Sequence, residues 1–427
     1  MTLQKNIAII GGGWAGLAAA VETVRLGHRA TLYEMAPQLG GRARQIDSNG
    51  IALDNGQHIL IGAYAKTLEL MEHVGVDAKR ALLRVPLRIA YPDGKGLQLG
   101  PGHPVLAFIK AVVGHTGWKP ADKWALLKTT GLWSLGRFRC PPELTVQQLT
   151  RRLPRAVRTD LIEPLCVAAL NTSATAASAS VFLRVLHDAL FSGRGSADLL
   201  LPRWRLSALW PEPASAWLKA RAATLLLSQR VERLTRQSAQ WQVDGQTHDG
   251  VVVACTAVEA ARLVEPHAPS WSAQARALPY EPITTVYAHS PETRLPEQMM
   301  ALRADAHSPA QFVFDLGAIG GMDGVLAFVI SAAAPWVDRG SDATMAATLR
   351  QGQRALAGLL ASPLVGMRCL TEKRATFLCV PALQRPEQTI LPGLAAAGDY
   401  VSGPYPASLE GAVRSGTEAV LHLLKSP

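Results

Sequence analysis

Cysteine is scarce in this 427-residue chain: Cys140, Cys166, Cys255, Cys369 and Cys379 form an odd, scattered set with no C-x-x-C spacing. No histidine cluster completes a metal site beside them. A zinc site and a disulfide scaffold are therefore excluded, and the thiols read as core filler in a reducing cytoplasm. Blocks of one charge are missing too. The net charge is +10 and the pI near 9.6, yet Lys and Arg are spread along the chain and no aromatic RNA-binding signature accompanies them. That argues against nucleic acid and leaves an anionic membrane surface open. No apolar run reads as a membrane span: the uncharged stretch 164–183 is long enough but holds Asn171 and several Ser and Thr. The N-terminus, where Lys5 precedes IAIIGGGWAGLAAA, is not read as a signal peptide, because glycines so spaced belong to a turn.

What is present is apolar residues, 48% of the chain, enough to bury large cores in two or three domains. The segment NIAIIGGGWAGLAAAVETVRLGHRATLYEM has an apolar run, a glycine cluster, a helical pattern and a second apolar run, which together make a β-α-β unit. Gly11, Gly13 and Gly16 fill the G-x-G-x-x-G positions, where a tight turn, close approach to a pyrophosphate and close helix–strand packing each need a missing Cβ. Glu34 ends the second strand at the distance expected of an acid that binds ribose hydroxyls. The next segments, GGRAR at 40–44 and LDNGQHILIGAY at 53–64, add a glycine pair, an Arg suited to phosphate oxygens and a polar, small-residue stretch that a simple nicotinamide dehydrogenase does not need.

Further along, residues 97–202 read as mostly helical, 224–257 as short strands ending in DGVVVACTA, and 280–377 as strands with a helix near 343–360. GAIGGMDG at 317–324 lacks the helix pattern of a second nucleotide site and reads as a hairpin or loop. Within 103–133, Lys110, Lys119, Lys123 and Lys128 interleave with Trp118, Trp124 and Trp133. Those letters suit a membrane interface and equally a buried helix pair with snorkelling lysines. Asp188, Arg194, Asp198 and Arg203 form a charge cluster in apolar surroundings, read as a salt-bridge network or as a proton relay. Near the C-terminus, AAGDYVSGPYPASLEGAVRSG passes from a Gly- and Pro-rich loop carrying Asp399 into a helix start, a natural anion site.

Taken together, the glycine fingerprint, the following acid, GGRA, D-x-G, and the late GD followed by EGAVRSG resemble the flavin amine oxidase and phytoene desaturase superfamily. LCVAALNT, GRGSADLLLPR, LSALWPEPA and GDYVSGPYPASLEGAVRSG narrow the resemblance to the bacterial hydroxysqualene dehydroxylases, over nearly the whole chain. The resemblance implies an α/β fold: a Rossmann-type, glutathione-reductase-like FAD-binding domain with an inserted α+β substrate domain, amine-oxidase-like. The expected boundaries are 1–96, 204–278 and 378–427 for the FAD domain, and 97–203 and 279–377 for the substrate domain.

The expected FAD contacts are Gly11, Gly13, Trp14, Ala15, Gly16, Glu34, Gly41, Arg42, Gly56, Gln57, His58, the backbone of Val231, Gly398, Asp399, Leu409, Glu410 and Ala412, with no metal. The implied reaction is reductive removal of the hydroxyl of hydroxysqualene, giving squalene for hopanoid or related triterpene synthesis. It calls for an acid that protonates the leaving oxygen, for which His58 is the candidate. It also calls for a dry pocket whose aromatic walls steady an allylic cation, with Tyr64, Phe182, Phe191, Trp204 and Tyr405 as candidates. The implied partners are a long apolar isoprenoid and squalene-synthase-like enzymes, with peripheral membrane contact on the inner face of the cytoplasmic membrane as one reading of the Trp and Lys stretch. NAD(P)H reacting transiently, or a carrier, is the electron source considered. A carotenoid-type desaturase or isomerase and a non-catalytic flavin-binding scaffold remain as competing functions. An amine oxidase fits less well, because that family's aromatic cage cannot be located.

Overall fold

A computed structural model describes residues 4–48 and 50–425. The nucleotide-binding half is built on a six-stranded sheet in the order Thr224–Leu226, Arg29–Tyr33, Asn6–Ile10, Gly250–Val253, Leu394–Ala396, Thr389–Leu391. The first five strands run parallel and the last is antiparallel. Parallel strands covered on both faces read as continuous apolar runs, and alternate residues here feed two cores. Ile7, Ile9 and Leu32 face Leu17, Val21 and Val420 on one side. Ala8, Ile10, Val251 and Val253 face Trp241, Leu263 and Val264 on the other. The helix Trp14–Arg25 follows the first strand, and the helix Leu409–Lys425 lies against it. A Cβ on Gly416 would stand 2.2 Å from the Ala15 carbonyl oxygen, so that glycine sets how closely the two helices approach.

The other half is an antiparallel sheet in the order Met299–Ala301, Phe312–Asp315, Val325–Ile330, Tyr280–His289, Val365–Phe377. Period-two alternation again splits it. Tyr287, Phe312, Phe314 and Ala327 pack toward a helical layer that includes Glu163–Leu170 and Ala179–Phe191. Val286, Val313, Leu326 and Phe328 pack toward the helix Ser341–Ala355. A bulge lies where this sheet meets the nucleotide-binding half: Glu281 pairs with Thr376, but Ile283 already pairs with Glu372.

The 317–324 segment joins the antiparallel strands Phe312–Asp315 and Val325–Ile330 as the connection of a hairpin, the reading expected of it. It opens in a one-turn helix, Leu316–Ile319, because Asp315 accepts the Ala318 N–H as its N-cap. Two expectations differ from what is observed. The boundary at 96/97 cuts a hairpin, because Arg88–Ala90 pairs with Gly96–Gln98. The four-residue charge cluster does not assemble. Asp188 pairs with Arg184 and His187, and Asp198 pairs with Arg84. Each carboxylate takes a base from its own helix or the adjoining strand instead of from the GRGSADLLLPR loop.

Candidate functional site: a cavity from the glycine turn to the antiparallel sheet

The carboxyl ends of the parallel strands converge on one cavity of about 540 Å³, at the edge where open α/β sheets bind nucleotides. Gly11 has φ of +111°, and a Cβ there would stand 2.7 Å from the Ala254 carbonyl oxygen. A Cβ on Gly16 would come within 1.8 Å of the Gly11 carbonyl oxygen. Gly16 therefore packs helix on strand and does not itself line the cavity. Gly13, Trp14 and Ala15 do line it. Trp14 is held there by a 2.9 Å bond from Nε1 to the Ala43 carbonyl. Gly13 and Gly41 meet almost backbone to backbone, since a Cβ on Gly41 would lie 3.2 Å from the Gly13 Cα. The two glycine segments thus form one cradle with no side chain in it. That is the geometry a pyrophosphate requires.

Glu34, 8% exposed, accepts the Gly12 N–H at 2.6 Å and the Ala36 N–H at 2.7 Å. Each carboxylate oxygen retains a lone pair for a ribose hydroxyl. Val231 lines the same end, but its carbonyl accepts from Arg262 Nη2 at 2.7 Å. That leaves its backbone N–H as the donor it can offer a ligand at this end. Midway, Arg42 pairs with Asp399 and donates to the Ala375 carbonyl at 2.7 Å. Burial opposes the charge on Arg42, but Asp399 outweighs it and holds the guanidinium protonated. Gly398 adjoins this pair. Leu409 and Ala412, one turn apart at the start of the helix Leu409–Lys425, face the cavity together.

Glu410 points away from the cavity. Turned about 100° from Leu409 on the helix, it is fully buried and accepts from the Lys66 and Thr67 N–H groups, Thr67 Oγ1 and Arg414 Nε. It caps the helix Ala65–His73 and clamps it to the last helix, which is a structural role.

Gly56, Gln57 and His58 line the far end. His58 Nδ1 lies 3.0 Å from the Gly56 carbonyl, which can only accept, so the ring proton sits on Nδ1. Burial lowers the His58 pKa below 6.5, and Arg42 adds to the lowering. A neutral ring whose proton is already spent on Gly56 is not the acid expected of it.

Among the aromatic candidates, Tyr64 lines the cavity, with its hydroxyl pushed up to about 12 by burial and by Glu410. Tyr405 packs edge-on against Tyr64 at 6.4 Å, with Arg184 and Arg414 over its ring, and so backs the wall. Phe182 is sealed in the core, while Phe191 and Trp204 are about 40% exposed on the outside. Phe182 and Phe191 lie nine residues apart on one helix, which puts them on opposite faces. Neither face is the cavity's.

The bulged strand brings in residues that sequence reasoning missed: Glu372, Ala375 and Thr376 line the cavity beside Ile283, Leu370 and Asn171. Asn171 ends its helix in the left-handed region and braces the corner. It donates to the Glu281 carbonyl and Thr376 Oγ1, and accepts from the Ala332 N–H. Of the lining carboxylates, Asp399 is paired with Arg42, and Glu259 with Arg230 and Arg262. Glu34 is fixed at the opposite end by backbone donors. Glu372 has no ion pair among the described residues, and accepts only from Asn55 Nδ2 at 3.1 Å and the Arg374 N–H at 3.2 Å. The one signal for it in the sequence is a glutamate inside a strand-like run.

The flavin containing amine oxidoreductase family matches residues 14–424. A hydroxysqualene dehydroxylase from Sinorhizobium fredii is 28% identical, with 98% of each chain covered. A zeta-carotene desaturase from Zea mays is 40% identical, but over 17% of this chain and 13% of its own length. Cyclohexylamine oxidase from Brevibacterium oxydans has the same fold, with a TM-score of 0.69 at 17% identity over 99% of both chains. The side-chain-free cradle, the ribose acid and the arginine midway fit a flavin dinucleotide. The chain belongs to the flavin containing amine oxidoreductase family, and its cofactor is FAD.

Proposed function

We propose that the protein removes the hydroxyl of hydroxysqualene reductively, forming squalene. The observation that carries this reading is the continuity of the dinucleotide cradle with an apolar end walled by Ile59, Ala168, Ala169, Ile283 and Leu370, lined also by Glu372, which has no ion pair among the described residues. FAD, when bound and reduced, supplies the hydride. Hydroxide is a poor leaving group, so the chain must provide the proton. We assign delivery of that proton to the Glu372 carboxyl, at the substrate oxygen, as the C–O bond breaks. Water leaves with the bonding electrons, and a carboxylate remains. The positive charge left on the allylic carbon meets apolar walls that exclude water and the Tyr64 ring, whose face is worth roughly 2 kcal/mol to a desolvated cation. Asn55 aims the Glu372 carboxyl, and His58 holds the Gly56 turn beside it. The full-length relative supports this reading over a desaturase, whose match is confined to a short segment. The free thiols suit a cytoplasmic setting.

The test is a single-turnover experiment. Protein photoreduced without oxygen and mixed with hydroxysqualene is expected to reoxidise its flavin with one squalene formed per flavin. Flavin reduction by phytoene or squalene would instead establish a desaturase. No redox change with any polyene would leave a binding scaffold.

A further inference from the structure

The two helices Pro104–Gly114 and Pro120–Leu135 pack against each other at the rim of the helical layer, and Lys123 Nζ of the second donates to the Val113 carbonyl of the first at 2.7 Å. Their inner sides and the loop between them are ordinary core: Ala107, Val112 and Leu126 on the helices and Trp118 in the loop are buried. Their outer sides are not ordinary surface. Leu106, Ile109 and Val113 are 60, 40 and 58% exposed, and Trp124, Leu132 and Leu135 are 69, 58 and 82% exposed. The first three recur at helical spacing on one face, and so do the second three. Together they make up six of the fourteen exposed large apolar side chains among the described residues. Such clustering marks an interaction surface, whereas scattered exposed apolar residues do not.

The charge around this face has one sign. Residues 103–139 carry Lys110, Lys119, Lys123, Lys128, Arg137 and Arg139 against one acid, Asp122. Asp122 is already engaged with the Lys119 N–H at the helix start. Lys110, Lys119, Lys128, Arg137 and Arg139 are exposed and without a salt bridge among the described residues. A second copy of the same face would press these cations against their own kind. A bilayer that carries anionic headgroups over hydrocarbon complements both features at once: the cations meet phosphates, while Trp and Leu enter the acyl boundary.

We infer that the outer face of these two helices docks on the surface of an anionic lipid bilayer. No helix among the described residues is long and apolar enough to cross a membrane, so the contact is made in the plane of the interface. Lysine stems lie along the apolar stripe with their ammonium groups at headgroup level.

The test is sedimentation of the FAD-loaded full chain with vesicles, a readout independent of turnover. Binding to vesicles of phosphatidylcholine with about one-third phosphatidylglycerol is expected to exceed binding to phosphatidylcholine alone by at least about tenfold. It should fall by a similar factor between about 50 mM and 500 mM salt. The pair Trp124→Ser and Leu135→Ser, and separately Lys110→Glu and Lys128→Glu, should each lower binding about tenfold or more while the flavin content stays unchanged. Should a variant not fold, brominated lipid applied to the native chain gives a second reading: quenching of tryptophan emission that Trp124→Phe abolishes. Equal binding to neutral and anionic vesicles, binding untouched by both pairs, or a concentration-dependent dimer dissolved by the Trp124 and Leu135 changes would overturn the inference.

Discussion

The two ends of the cavity are made from different materials. At the nucleotide end the wall is backbone: Gly11, Gly13 and Gly41 bare their peptide groups, and the acid there, Glu34, is locked by two backbone N–H groups. At the substrate end the wall is side chain, drawn from the helix Glu163–Leu170, the strand Tyr280–His289 and the bulged strand Val365–Phe377. A backbone wall admits one shape and tolerates no added atom. A side-chain wall can be altered one group at a time while the fold stands.

The largest expected effect therefore lies at the first end. Gly16→Val puts a branched side chain where even a Cβ would meet the Gly11 carbonyl oxygen at 1.8 Å. Overpacking of this kind against backbone exceeds the usual range of about 1–3 kcal/mol. The expected product is insoluble or colourless protein, read by expression yield and flavin absorbance. A yellow, folded Gly16→Val protein would break the contrast outright. Next comes Glu372→Gln at the other end, which should leave flavin binding intact and lower the single-turnover rate by about 10²–10⁴-fold, the usual contribution of a positioned acid. Loss of flavin from this variant, or an unchanged rate, would remove Glu372 as the proton donor.

The contrast also explains what could be read without coordinates. The glycine turn, the strand that follows it and Glu34 lie within a few dozen consecutive residues, and each is demanded by local backbone geometry. Glu372 was illegible for a physical reason. Alternation puts Leu370, Glu372 and Thr376 on one face of their strand. Which way that face turns is set by the bulged pairing with the distant strand Tyr280–His289. No local pattern encodes that. His58 was legible as a residue near the cofactor but not as to its protonation, because the Gly56 carbonyl that takes its proton is fixed only by the turn, where Gly56 has φ of +92°. Glu410 stood in a convincing motif, yet its helical phase turns it toward Thr67.

At the junction of the two ends, Arg42→Met should cost about 3 kcal/mol and weaken flavin retention, because it strands the buried Asp399 carboxylate. Adding Asp399→Leu is expected to restore the unfolding midpoint in urea but not the flavin. Restoration of both would place the pair outside cofactor binding.

The smallest effect concerns Asp54, beneath the Asn55–Gly56 turn. Burial raises its pKa from 3.8 to about 6, against the lowering by the Leu206 N–H and Arg205. The folded chain holds this proton more tightly than the unfolded chain. The contribution is therefore fully present below about 3.8 and is lost as pH rises through about 6. Asp54→Asn keeps an acceptor for Leu206 and removes that loss. It should raise the urea midpoint at pH 7 while leaving it nearly unchanged at pH 4. An equal shift at both values would show that Asp54 is not charged at neutral pH.

The helix Leu409–Lys425 rests on the helix Trp14–Arg25 through Gly416 and reaches the cavity with Leu409 and Ala412. A ribosome must therefore finish almost four hundred further residues before the cavity begun at Gly11 gains its last wall. Until then the nascent protein carries an open, uncapped nucleotide site and a parallel sheet that still lacks the strands Leu394–Ala396 and Thr389–Leu391. Capture of the flavin in its finished cavity therefore waits on the helix Leu409–Lys425.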